Sequence, residues 1–315
     1  MANKTTLTKK LFLLVDKLFY RSQNPRAKTA EALKGLAQLT DITFAPGEES
    51  KLDVLFRPRS DGKKYPVVFV IHGGGFSAGD KAYRQYFCAQ IAKRTGALVV
   101  NVNHPLGPEN PCPKPLQSLV RAFNWVIRNA DLYKMDTSRM LVTGDSSGAY
   151  YAAMLSMIPD HPDLQRIYGR MAGRFSSAVY ICGVYDIDYS LNHRLPFGIT
   201  TGICVDISGK KPKDLSSLEY TPYLSPINFV TEHHPKTLLI YAKKDFFAKG
   251  QAELLMEAFR EKGVPYEEYH STRLLDNHDF ILNGNSPAAK RSRKVMYDYM
   301  RKVLCDDPTR HTNKK

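Results

Sequence analysis

Five apolar runs constrain this chain more tightly than any other feature of its sequence. Val67–Ile71, Ala97–Val102, Met140–Thr143, Ser176–Cys182 and Thr237–Ala242 are close to continuous in apolar residues, without the polar alternation of a half-solvated strand. Strands buried on both faces have this pattern, and they occur where helices cover a parallel sheet above and below. The segments between the runs are too long for hairpins and long enough for crossover helices. The pattern therefore predicts an α/β protein with a mostly parallel central sheet flanked by helices. Ahead of the runs, Ile42 and Phe44 and then Leu52, Val54 and Phe56 alternate, which predicts a leading antiparallel hairpin. Tyr266 to His270 supplies one further strand.

At 315 residues and 43% hydrophobic content, residues 1–315 suffice for a single domain around one core. No internal period suggests repeats, and no apolar stretch reaches the ~20 residues of a membrane-spanning helix. Lys9–Val15 has the basic and apolar character of a signal peptide, but Asp16-Lys17 interrupts it and no small-residue cleavage site follows before Arg21. Leu7, Leu11, Leu14 or Val15, Leu18 and Phe19 instead recur at helical spacing. We expect an amphipathic helix there, with membrane attachment as the lesser alternative.

Chemistry enters at Gly144-Asp145-Ser146-Ser147-Gly148. A strand run precedes it, and Ala149–Leu155 follows as a helix-compatible segment ending near Pro159. A strand that turns abruptly into a helix needs small residues at the crossing, and the glycines at 144 and 148 remove the Cβ atoms that would clash. Ser146 is then held at the tip, in front of the helix N-terminus and its positive dipole end. An ordinary Gly/Ser turn is the structural alternative.

His72-Gly73-Gly74-Gly75 closes the first apolar run. Successive glycines let backbone N–H groups approach a ligand, and a tetrahedral oxyanion needs two or three such donors, each worth roughly 3 kcal/mol in the transition state. Gly74 and Gly75 are the expected donors, with Gly73 shaping the turn and the Ser147 N–H completing the set. Phosphate cradling competes, but no G-K-[ST] follows and the G-x-G-x-x-G spacing is absent. A structural glycine turn remains the bland option.

A serine nucleophile needs a base and an orienting acid, and on this kind of strand–serine–helix elbow the chain order is Ser, Asp or Glu, His. Asp245 follows the Thr237–Ala242 run and His278 lies in the loop after Tyr266 to His270. All three candidates fall at strand-exit loops, where open α/β sheets build their sites. Alone, a loop histidine is usually a surface side chain, and an aspartate after a strand is often a turn former or cap. Asp276 and Asp279 are rival acids, each so close to His278 in sequence that a loop-forming role is expected. His270 and His233-His234 are weaker bases, the first inside a strand and the pair ahead of one.

Taken together, these elements resemble the hormone-sensitive-lipase-like branch of the α/β-hydrolases, a family of carboxylesterases and lipases. The resemblance rests on His72-Gly73-Gly74-Gly75-Phe76, Asp136-Thr137-Ser138-Arg139, Gly144–Gly148, Asp245 and His278, with Pro108-Glu109-Asn110-Pro111 and Leu224-Ser225-Pro226 beside them. It runs from about residue 50 to 304. It implies the α/β-hydrolase fold with a helical cap, which we assign to residues 1 to about 36 and 183–235; the second stretch is too long for a simple crossover. Residues 306–315 are expected to be a disordered tail.

Three departures bear on the pockets. His104-Pro105-Leu106-Gly107-Pro108-Glu109 stands where the family commonly has Y-R-L-A-P-E, Asp245-Phe246-Phe247 replaces D-P-L, and His278-Asp279-Phe280 replaces H-G-F. They leave the Ser, Asp and His in place, but substrate identity does not carry over.

The expected function is that of a serine carboxylic-ester hydrolase acting on small-molecule esters of short to medium acyl chain, with no metal or organic cofactor. Phe76, Tyr185 and Phe246 are the expected walls of a partly apolar, limited pocket. An amidase or aryl-formamide hydrolase with the same triad is the first alternative, and a catalytically silent ligand receptor the second. The net charge of +14 raises nucleic acid as a partner, but the clusters Lys210-Lys211-Pro212-Lys213, Arg291-Ser292-Arg293-Lys294 and Lys314-Lys315 are dispersed and lack interleaved aromatics. We expect no nucleic-acid partner and no stable membrane insertion. Monomer and homodimer are both left open. Cys88, Cys112, Cys182, Cys204 and Cys305 are odd in number with no C-x-x-C spacing, which points to a reduced, cytoplasmic setting.

Overall fold

The computed structural model describes residues 6–23, 26–193, 195–283 and 286–305. The apolar runs form strands β3 (Tyr65–Ile71), β4 (Leu98–Val102), β5 (Met135–Asp145), β6 (Ser177–Ile181) and β7 (Lys236–Ala242). The leading hairpin is β1 (Ala37–Thr43) and β2 (Lys51–Phe56), and β8 (Tyr266–Ser271) comes last. All eight lie in one sheet of spatial order β1-β2-β4-β3-β5-β6-β7-β8. β2 pairs antiparallel with both β1 and β4, and the remaining pairs are parallel.

Every residue of β3, β4 and β6 is buried, as their unbroken apolar character requires. Alternate residues serve opposite cores. Val67, Phe69 and Ile71 pack with Phe123, Leu155 and Phe259 of helices on one side. Val68 and Val70 pack with Phe87, Ile91 and Met300 on the other. The C-terminal helix Pro287–Leu304 begins as its sequence indicates, with Ser286 Oγ accepting from the Ala289 N–H at 3.1 Å and proline in the first turn.

β5 starts five residues before the apolar run does. Asp136 accepts from the Ser138 N–H at 2.9 Å and from Arg139 Nε at 2.8 Å, so the strand carries a polar irregularity before it resumes opposite Val67. This hydrogen-bonded insertion hid the strand's beginning.

The topology positions the site. From β3 the chain steps outward to β4 and then returns to β5 on the other side, so the carboxyl ends of β3 and β5 flank the reversal point where open sheets bind ligands. The glycine run leaves β3 there and Ser146 leaves β5.

The expected cap segments divide. The N-terminal helix Leu7–Gln23 packs on the helix Ile199–Ser208, with Thr6 Oγ1 donating to Asp206 Oδ1 at 2.8 Å, and Lys9 Nζ reaches the Gly107 carbonyl at 3.1 Å and Glu109 at 2.5 Å. The helix Arg26–Leu33 instead packs on Gln85–Thr95 at the sheet's flank. Within 183–235, Ile187–Asn192 and Ile199–Ser208 contribute to the site cavity. The short 3₁₀ segments from Pro212 to Phe229 lie against the body, where Tyr150 and Tyr168 hydroxyls donate to the Leu224 and Tyr223 carbonyls at 2.9 and 3.1 Å. The sequence expectation for 306–315 falls outside the described residues.

The N-terminal helix is amphipathic as its leucine periodicity indicates, and the leucine face is the outer one. Leu7, Leu11, Leu14 and Leu18 are exposed, while Thr8 is buried and Phe12 and Asp16 point inward. The inner face was obscured because it mixes polar and apolar residues around a cavity instead of filling a core.

Candidate active site

The elbow after β5 is tight. A Cβ on Gly144 or Gly148 would overlap backbone atoms of the facing turn and of Ile71. Ser146 sits between them at φ 53°, ψ −120°, a strained conformation for a residue with a side chain, and its N–H donates to the Ile181 carbonyl at 2.8 Å. The helix Ser147–Met157 begins at the next residue.

Asp245 and His278 arrive from the exits of β7 and β8. His278 Nδ1 donates to Asp245 Oδ1 and Oδ2 at 2.9 and 2.8 Å, which leaves Nε2 to accept from Ser146 Oγ at 2.8 Å. Asp245 Oδ1 also accepts from the Phe247 and Ala248 N–H groups, both at 2.8 Å. Burial raises this carboxyl's pKa, but the His278 imidazole and these bonds outweigh it and hold the group below its ordinary range. The three residues singled out from chain order thus form one continuous line.

Burial acts to lower the pKa of His278. The carboxylates of Asp245, Asp279 and Asp145 oppose it and bring the imidazole up to about 9. Asp279 Oδ2 lies 3.7 Å from Nε2. Asp279 therefore belongs to the site's electrostatics and is more than the loop former expected of it. Its φ of 53° is the conformation that the glycine of an H-G-F sequence would adopt at no steric cost. Asp276 behaves as expected: it is buried in its loop and accepts from Ser271 Oγ at 2.7 Å.

A second buried charge system underlies the serine. Arg84 Nε and Nη2 donate to Asp145 Oδ1 and Oδ2 at 2.7 and 2.5 Å, and both side chains are buried. Asp16 from the N-terminal helix faces this arginine across the cavity, and burial pushes its carboxyl up to about 6. The Arg84 partner of Asp145 was not legible, since Arg84 is one of 45 lysines and arginines with no motif to mark it.

The glycine run faces the serine. Gly74 and Gly75 line the cavity at φ 141° and 60°, and the Phe12 ring occupies the place a Gly75 Cβ would take. Gly73 is packed against Asp145 and does not line the cavity. His72 and His104 stack below, with ring centroids 4.4 Å apart, and burial lowers both imidazoles to about 4 and 3, so the pair is neutral. Of the other histidines, His234 is buried and contacts Tyr180 Oη at 3.1 Å, His233 is exposed, and His270 lies on β8, 3.6 Å from Glu268.

The cavity in front of Ser146 has a volume of about 1000 Å³. Phe76 and Phe246 both line it; Phe76 is edge-on to Tyr150 and Tyr151 at 5.2 and 5.6 Å. Tyr185 does not. It is buried beside Tyr180, its hydroxyl close against Gly183, because the chain turns inward at the end of β6. Two further aromatic residues line the cavity: Phe247, 5.1 Å from the His278 ring, and Phe12, 5.9 Å from Phe247. Cys182, His278 and Asp279 bring three potential metal-ligand atoms within 4.8 Å of one another, so an ion held there would take the imidazole that Ser146 contacts.

The sheet order, the strained serine between β5 and its helix, and the Ser–His–Asp line define an α/β-hydrolase. Residues 52–259 match the BD-FAE family model, and the chain belongs to this hormone-sensitive-lipase-like family. It is 25% identical over 264 residues to the putative alpha/beta hydrolase R526 of Acanthamoeba polyphaga mimivirus, covering 79% of this chain and 71% of that protein. With esterase LipQ of Mycobacterium tuberculosis it shares 26% identity over 268 residues, 82% of this chain but 60% of LipQ. The crystal structure of esterase B from Lactobacillus rhamnosis shares the fold, with a TM-score of 0.76 at 19% identity over 95% and 97% of the two chains.

Proposed function

We propose that the protein hydrolyses carboxylic esters of short to medium acyl chain, or of otherwise compact shape, through an acyl-enzyme. Ser146 Oγ attacks the acyl carbon while His278 Nε2 takes its proton and then delivers it to the departing alkoxide; water repeats the sequence in reverse to release the acid. Asp245 fixes the imidazole tautomer and stabilises the imidazolium. The N–H groups of Gly74, Gly75 and Ser147 stabilise the oxyanion, with Gly73 setting the turn. Phe76 and Phe246 wall the pocket, and Phe12 and Phe247 crowd the reacting centre.

One observation carries this reading: the unbroken line from Ser146 Oγ through His278 to Asp245, each contact between 2.8 and 2.9 Å. A cytoplasmic setting is part of the same proposal, supported by four buried free thiols, Cys88, Cys112, Cys182 and Cys204. Among the described residues no helix is long and apolar enough to cross a membrane. The test compares p-nitrophenyl acetate with p-nitroacetanilide. Ester turnover exceeding anilide turnover by orders of magnitude is expected, and comparable rates would assign an amidase.

A further inference from the structure

We propose that the outer face of the N-terminal helix docks the protein on an anionic lipid bilayer. Leu7, Leu14 and Leu18 are 74%, 53% and 65% exposed, and Leu11 and Leu13 add 36% and 47%. Leu7, Leu11, Leu14 and Leu18 fall at i, i+4, i+7 and i+11, so they form one continuous stripe along the helix. A contiguous apolar surface of this kind marks an interaction site.

The opposite face is already committed. Thr8 abuts Gly202, Phe12 lies on Gly75 and Asp16 enters the cavity. Asp16 is the only acidic residue of the helix and points away from the stripe. Lys10 and Lys17 are exposed beside the leucines, on a chain of net charge +14. Leucines flanked by lysines suit the headgroup boundary of an anionic leaflet, where apolar burial and electrostatic attraction add.

Other occupants fit less well. Residues 306–315 contain no Leu, Ile, Val, Met or Phe with which to cover the stripe. A stable dimer takes about 20–30 residues from each side, far more than one helical stripe offers, and a second copy would bring its own lysines and positive charge. Leu11 belongs both to the stripe and to the cavity wall, so docking would set the cavity mouth against the bilayer.

Flotation of the full chain with phosphatidylcholine vesicles, with and without phosphatidylglycerol, tests this. We expect about tenfold stronger partition to the anionic vesicles, reversed by high salt. Leu14→Glu with Leu18→Glu should reduce binding at least about tenfold, and Lys10→Glu with Lys17→Glu should abolish the preference for anionic lipid. Both variants should keep wild-type circular dichroism and thermal unfolding, since all four side chains are exposed. Wild type that stays off anionic vesicles, or leucine variants that bind as wild type does, would overturn the proposal. So would a dimer in light scattering that the leucine substitutions convert to monomer, which would make a second copy the occupant.

Discussion

Asp279 Oδ2 lies 3.7 Å from His278 Nε2, the same nitrogen that receives the Ser146 hydroxyl at 2.8 Å. The imidazole thus has a carboxylate at each end, Asp245 at Nδ1 and Asp279 at Nε2. Both favour the imidazolium, and a general base must be neutral to act.

With His278 raised to about 9, kcat/KM on a soluble ester should climb about tenfold per pH unit from neutrality towards pH 9 before levelling. Asp279→Asn should move that inflection down and raise the rate at pH 7 severalfold, because asparagine tolerates the positive φ and removes only the charge. A pH profile that Asp279→Asn leaves unmoved would remove Asp279 from this role.

The same shift has the opposite sign for stability. A histidine whose folded pKa lies above its unfolded value, here about 9 against 6.5, stabilises the fold fully below pH 6.5 and loses that contribution as pH rises through 9. Urea unfolding of wild type and His278→Gln across this range should therefore converge at high pH. A difference between them that grows with pH would contradict the assignment.

Asp245→Asn should lower kcat by about 10⁴, since the amide cannot hold the productive tautomer. Asp276→Asn should cost far less, because Asp276 binds Ser271 within its own loop. Steady-state kinetics of the two variants decides it, and the reverse ranking would reassign the orienting acid.

Arg84→Met should destabilise the protein by about 3–5 kcal/mol, the cost of leaving a buried partner such as Asp145 unpaired. Equilibrium denaturation measures it. A loss below ~1 kcal/mol would mean that Asp145 is stabilised by other groups.

The sheet was legible because residues such as Val67–Ile71 must be apolar on both faces, and Ser146, Asp245 and His278 were legible because chain order and strand exits leave few alternatives. Two kinds of feature were not. Asp279 and Arg84 act through space, and an aspartate in a loop or an arginine before a helix looks the same whether or not a histidine or a buried carboxylate lies beyond it. The N-terminal helix was legible as amphipathic, but which of its faces turns inward was not. Its leucine stripe has the period of a core-facing surface, but periodicity gives no direction, and Phe12 with Asp16 faces a cavity that only the folded chain creates. Tyr185 and Phe247 show the same limit at short range: both follow strand exits, yet the turn after β6 buries one and the turn after β7 presents the other to His278.

The most direct test is labelling with a fluorophosphonate, read by intact mass alongside esterase activity. A single adduct should form on wild type with complete loss of activity. Ser146→Ala should form none and fall in kcat by roughly 10⁴ or more while folding normally. An adduct that persists on Ser146→Ala, or near wild-type turnover by that variant, would contradict the assignment of Ser146 as the nucleophile.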